Sequence, residues 1–297
     1  MRFTAWLVLL ATLSLWSGNW IVARAVRDEV APGIATVGRL IVVLLILLPF
    51  VLRSLLKKLP ALKAQDWKIL AAMGFAGGGI HLALQWLGLH YTTATSGVLY
   101  LSTAPIFVLL MAPLLLKERI AARQWLGVAV SFCGIATIAS QGDPARLAAL
   151  SFNRGDLMAL ASMVMWASYT VLLRLRRDAL DVAELIVVVC AFGLVFMAPW
   201  IALERAPLPF NTTAIVAILY SAIASLLLAY AGWSYVVSRL GAARAGSTMH
   251  LMPAIGVGLA ATFLGEYPRW FHFAGIALIL AGVALSTLKA SSASSSR

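Results

Sequence analysis

Ten apolar stretches, near residues 4–22, 33–52, 68–88, 93–115, 123–140, 155–174, 183–202, 212–235, 242–264 and 269–288, alternate with short polar or Pro/Gly-rich connections. The hydrocarbon core of a bilayer takes about 20 apolar residues as a helix. The pattern therefore predicts ten transmembrane helices with no soluble domain between them. Helices satisfy their own backbone in lipid, and the strict alternation a closed barrel needs is missing. The expected fold is all-α and integral to the membrane. Composition agrees: 62% of residues are hydrophobic and 11% charged, mean hydropathy is +0.94, and soluble domains carry roughly 25% charge. The first stretch follows Arg2 and mimics a secretion signal, but the "SLWSGNW" after it offers no small-residue cleavage site. The tail 291–297, "SSASSSR", is of low complexity and expected to be disordered.

A net charge of +12 raises the possibility of nucleic acid. The placement of the charges argues against it. With ten spans, both termini and the even-numbered connections share one face, which carries 16 of the 23 Lys and Arg residues. The other face holds Arg24, Arg27, Arg146, Arg154, Arg205 and Arg269, and Arg39 lies within a span. The positive-inside rule puts both termini in the cytoplasm. Cys133 and Cys190 fall in apolar spans and are expected to be buried thiols. His81, His90, His250 and His272 are scattered without metal-ligand spacing, and neither metal nor cofactor is expected.

The chain repeats itself. "APIFVLLMAPLLLKER" carries Pro105 and Glu118; "PAIGVGLAATFLGEYPR" carries Pro253 and Glu266 at the same spacing, 148 residues on. At that offset Gly127 and Gly134 fall on Gly275 and Gly282. At an offset of 150, Thr12, Trp16, Arg24 and Pro49 fall on Ser162, Trp166, Arg174 and Pro199. A two-residue difference in one connection reconciles the offsets. The units expected are 1–148 and 149–290, five helices each. Five is odd, so the second unit is inverted, an arrangement transporters use to rock two halves about a midplane site. Pro105 and Pro253 each remove an N–H and are expected to bend their helices, freeing a carbonyl near Leu101 and Met249. The bends serve packing or line a cavity. Glu118 and Glu266 are read as solvated helix-end charges or as partners of a nearby Arg.

Helices in lipid associate through small and polar residues, so polar stripes mark inner faces. The third span reads Gly74, Gly78, His81, Gln85, Gly88 along one helical face. The first carries Thr12, Trp16 and Asn19, with Trp20 beside them, and its counterpart carries Ser162, Trp166 and Tyr169. The fourth contributes Tyr100, Ser102 and Thr103; the eighth Ser225, Tyr230 and Trp233; the ninth Ser247, Thr248 and His250. The same residues would serve equally as glue between helices.

Ten spans, an inverted repeat, a proline-bearing helix ending "LLLKER" or "FLGEYP", tryptophans in "W-x-x-x-W" and "WASY", and a Gly-x6-Gly closing helix together resemble the drug/metabolite transporter superfamily, the EamA-type permeases. Within it the chain is most similar to exporters of aromatic amino acids. The resemblance implies a transporter, not an enzyme, that moves small neutral or zwitterionic metabolites by alternating access. Substrate binding is expected from Trp16, Asn19, Trp20, His81, Gln85, Tyr100, Ser102, Thr103, Trp166, Tyr169, Tyr230, Trp233, Ser247 and His250, with Pro105 and Pro253 at the bends. Partners are then the substrate and the bilayer, which the resemblance implies is a bacterial inner membrane, with the chain a monomer.

Every carboxylate lies at a span end or in a connection. Coupled transporters commonly keep one in the membrane, so flux down the substrate gradient is expected. The alternative is a carrier of other metabolites or drugs, coupled to protons through a histidine. Arg39 either pairs with Asp28 or Glu29 or attracts a substrate carboxylate.

Overall fold

The computed structural model describes residues 2–116, 122–148, 153–204, 206, 211–240 and 251–287, and among them there is no strand. The helices are α1 (Arg2–Ala25), α2 (Pro32–Lys58), α3 (Ala64–Tyr91), α4 (94–116), α5 (Ala122–Ala139), α6 (Arg154–Leu175), α7 (Val182–Glu204), α8 (212–240), α9 (Leu251–Leu264) and α10 (Trp270–Thr287). A short helix, Pro144–Ala148, lies in the connection after α5. Among the described residues eight helices, α1 to α8, are long and apolar enough to cross a membrane, and α9 and α10 are shorter apolar helices. The chain is thus a multi-pass membrane protein. The predicted ninth span, 242–264, is described only from Leu251, and Ser247, Thr248, His250, Glu118 and the tail lie outside the described residues.

Local chemistry sets the helix ends. Thr93 Oγ1 accepts from the Ser96 N–H, Asn153 Oδ1 from Gly155, and Asn211 Oδ1 from Ala214, so α4, α6 and α8 begin with side-chain caps. α2 opens on Pro32, whose missing N–H costs nothing there. The N–H groups of Gly33 and Ile34 donate instead to the two oxygens of Glu204, at 3.0 and 3.2 Å, across from the end of α7. α5 stops at Gln141 and Gly142, both with positive φ (57° and 72°).

The helices pack in pairs: α5 on α10, α2 on α7, α4 on α9, α1 on α8 and α9, α6 on α3 and α4, α3 on α7, and α2 on α8. The Gly-x6-Gly motifs form the α5–α10 seam. A Cβ on Gly134 would stand 2.5 Å from the Gly275 carbonyl, and Ser131 Oγ donates to the Ile279 carbonyl at 3.2 Å. Gly88 and Gly155 likewise let α3 and α6 touch backbone to backbone. Two helices carry a wide π-helical segment, Gly74–Ile80 in α3 and Tyr220–Leu228 in α8. Shifted by 148, the first falls on 222–228, within the second.

Two expectations need correction. The Leu101 carbonyl is not free: a 3₁₀ turn, Leu101–Thr103, precedes Pro105 in α4, and the Ala104 N–H donates to that oxygen. The tighter turn absorbs the lost α-helical bond. Cys190 is buried, but Cys133 is exposed on the outside of α5. Two carboxylates at span ends are also buried, Glu184 at 0% and Asp156 at 2% exposed. Each has partners: Glu184 accepts from Lys58 and Ser54, both at 2.6 Å, and Asp156 accepts from Thr92 Oγ1.

Candidate functional site

The polar faces of α1, α2, α3, α6 and α8 meet in the interior. On one side Trp16 packs against Tyr230 edge-on, ring centroids 5.7 Å apart, and against Trp233 at 5.6 Å. Its indole N–H donates to the Ser225 carbonyl at 3.0 Å. On the other side His81 leans on Trp166 at 5.3 Å, and Trp166 stacks on Tyr169 at 5.4 Å. His81 Nδ1 lies 2.9 Å from the Ser162 carbonyl and 3.0 Å from its hydroxyl. A carbonyl only accepts, so this nitrogen carries the proton. Glycine makes room for the stack: a Cβ on Gly77 would stand 2.5 Å from the Tyr169 ring. Trp16, Trp166, Tyr169, Tyr230 and Trp233 all stay half-buried.

A chain of polar groups links the same helices. Ser221 Oγ donates to Asn19 Oδ1 at 2.7 Å, and Asn19 Nδ2 points at Gln85 Oε1 at 3.4 Å. Arg39 reaches the Ser221 carbonyl through Nη2 at 3.3 Å. It does not pair with Asp28 or Glu29; Asp28 pairs with Arg27 at 3.1 Å. Tyr230, Cys190 and His81 are near enough to Arg39 to feel its charge, and Tyr169 is near Tyr230. The sequence pattern missed the position of Arg39 because a lone charge in a span does not reveal which neighbour it faces.

Other expected residues fall elsewhere. Trp20 and Tyr100 are 2% and 0% exposed in a core with Trp86, and Gly97 lets the Trp20 ring in. The Tyr100 hydroxyl lies beside the Asp156 carboxylate without hydrogen-bond geometry. Thr103 Oγ1 donates to the Tyr100 carbonyl at 2.7 Å, and Ser102 is buried. Pro253 is buried in the first turn of α9, where Ser17 Oγ donates to the Met252 carbonyl.

Glu266 is a partner of arginine rather than a solvated charge. Arg24 Nε donates to it at 3.2 Å, and the Thr95 N–H at 3.1 Å. Beside it a cleft of about 350 Å³ is lined by Thr95, Ser96, Gln141, Tyr267, Arg269 and His272 among others. There the Arg269 N–H donates to His272 Nδ1 at 2.8 Å, which leaves Nε2 to donate to Ser96 Oγ at 3.3 Å. Among the described residues no group of His, Cys, Asp and Glu is arranged to hold a metal.

Comparison with known proteins fits this architecture. The chain is 28% identical over 287 residues to an uncharacterized transporter of Archaeoglobus fulgidus, covering 95% of this chain and 97% of that one. It is 23% identical over 288 residues to the uncharacterized transporter YetK of Bacillus subtilis, covering 96% and 87%. It is 29% identical over 227 residues to a probable terminal-alkyne amino-acid exporter of Streptantibioticus cattleyicolor, covering 75% and 74%. A solved crystal structure superposes with a TM-score of 0.60 at 18% identity, over 97% of both chains. The EamA-like transporter family model matches twice, over residues 2–140 and 153–288, and the chain is a member of that family of membrane transporters.

Proposed function

We infer that this transporter exports small zwitterions, aromatic and apolar amino acids foremost, from the bacterial cytoplasm, with both termini on the cytoplasmic side. Two inverted five-helix units, 1–148 and 149–290, alternate access to a central site. Trp16, Tyr230 and Trp233 hold the substrate from one side and His81, Trp166 and Tyr169 from the other, with Asn19 and Gln85 between them. Ser247 and His250, which lie outside the described residues, are assigned to the same site. The carrying observation is two half-buried aromatic groups, one on α1 and α8 and one on α3 and α6, on helices that an amide, hydroxyl and guanidinium chain also joins. Small-molecule sites have this make-up: mostly apolar and aromatic, with a few placed polar groups.

The inverted repeat draws support from the helix pairing. Exchanging α1–α5 with α6–α10 maps the observed pairs onto one another: α1 on α8 becomes α6 on α3, and α3 on α7 becomes α8 on α2. The family model falls once on each unit. The relative named a probable amino-acid exporter supports the substrate class.

Counterflow in proteoliposomes with labelled phenylalanine, tryptophan, leucine and glutamate tests this. Aromatic and apolar amino acids should exchange, and glutamate should not. Absence of exchange with every neutral amino acid would sink the reading. The second reading, a proton-coupled carrier of other metabolites, is favoured by the buried His81 and Asp156. It requires accumulation driven by an imposed pH gradient.

A further inference from the structure

Among the described residues Arg39 is a cation without a counter-ion. It is 2% exposed, so protein rather than lipid encloses it. Nη2 has the Ser221 carbonyl, but Nε and Nη1 have no hydrogen-bond partner among the described residues. The carboxylates in the bundle are engaged elsewhere: Asp156 with Thr92, Glu184 with Lys58, Glu204 with the start of α2, and Glu266 with Arg24. Tyr230, Cys190 and Ser221 around the guanidinium are neutral groups. A guanidinium keeps its charge at any working pH, and an enclosed charge is costly unless an anion or enough acceptors meet it. The matching position of the other unit is Val189, so packing does not require a cation here.

We propose that Arg39 receives the carboxylate of the transported molecule. The inference rests on the transport reading above and narrows its substrates to molecules with a free carboxylate. Nε and Nη1 supply charge-assisted donors. The side chain of the substrate lies against the aromatic groups that flank Arg39, and its ammonium, where present, against their ring faces. Amides, esters and decarboxylated amines of the same shape leave the guanidinium unmatched and are rejected.

The test uses the purified full-length protein, reading tryptophan fluorescence and melting temperature with L-phenylalanine, phenylalaninamide, phenethylamine and 3-phenylpropionate. The two carboxylates should bind about tenfold or more tighter than the amide and the amine. R39Q should erase that preference while keeping the weak binding of the amine, and R39K should keep part of it. If R39Q fails to fold, R39K and the ligand series on the wild type decide. Equal binding of acid and amide overturns the proposal. So does a preference that survives in R39Q, or a series in which no carboxylate moves either signal. Binding of 3-phenylpropionate but not phenylalanine upholds Arg39 and refutes amino-acid export. Transport of amines as fast as amino acids refutes Arg39 and leaves the transporter intact.

Discussion

Asn19 holds together groups from three helices, and its replacement shows what a buried amide is worth. Asn19→Leu strips Ser221 Oγ of its acceptor and Gln85 of its neighbour. A buried polar group left without a partner costs about 1–3 kcal/mol, so the melting temperature in detergent should fall by several degrees. Asn19→Asp, which keeps an acceptor, should lose less in Ser221 pairing but set a charge near Arg39. His81 does a different job. Its proton is held by the Ser162 carbonyl, and its ring supports Trp166. Alanine at Trp166 should lower exchange several-fold while expression and melting change little, because its ring is half-buried rather than in the closed core; alanine at His81 also leaves buried Ser162 without its partner and should lower the melting temperature as well. A loss of fold in Trp166→Ala that parallels the loss of exchange would make that ring structural.

At the scale of elements, glycine separates seams from surfaces. Gly134→Val drives a side chain into the Gly275 carbonyl, whereas a Cβ on Gly258 meets nothing within 4 Å. Overpacking costs roughly 1–3 kcal/mol, so the first should destabilise, and Gly258→Ala should be neutral or slightly stabilising. The connection between α6 and α7 offers a pH test. Partial burial pushes the Asp178 carboxyl up, but bonds from Arg176, at 2.6 and 3.1 Å, and from the Leu180 N–H outweigh it and hold the value below its usual 3.8. A depressed carboxylate stabilises above the unfolded value, and that contribution disappears as pH falls through the folded one. Protease nicking near residue 178 should rise below about pH 4, and Asp178→Asn should show the rise at neutral pH. The elements were legible because long apolar runs leave a helix few alternatives. The stripe on α3 was legible only in part. Its spacing assumed a regular α-helix, yet the π segment Gly74–Ile80 divides it. Gly74 and Gly78 face α7, while His81 faces Ser162 and Gln85 faces Asn19. Trp20 and Tyr100 are polar-tipped residues used for core packing, a choice that period alone does not reveal.

At the scale of the whole molecule, the question is what drives flux. Exchange of amino acids should proceed in proteoliposomes without a pH gradient, and an uncoupler should change it little. Asp156 is the sharpest check, being a carboxylate 2% exposed beside Tyr100 and Thr92. Asp156→Asn should leave exchange intact. If it abolishes accumulation driven by an imposed gradient and spares exchange, the proton runs through Asp156. If His81→Gln does so instead, it runs through His81. The two π segments bear on how such a cycle can turn. Each is slack wound into a helix: one residue more than the rise requires, kept in longer i→i+5 bonds. Slack can be passed along by exchanging one carbonyl partner for the next, so no backbone group is bared to lipid. Passing one residue through rotates everything beyond it by about a quarter-turn or a little more. α3 and α8 can therefore each swivel one end while the other stays docked. Amide exchange should report it, with 74–80 and 220–228 loosening together when substrate is added and tightening together when it is withdrawn.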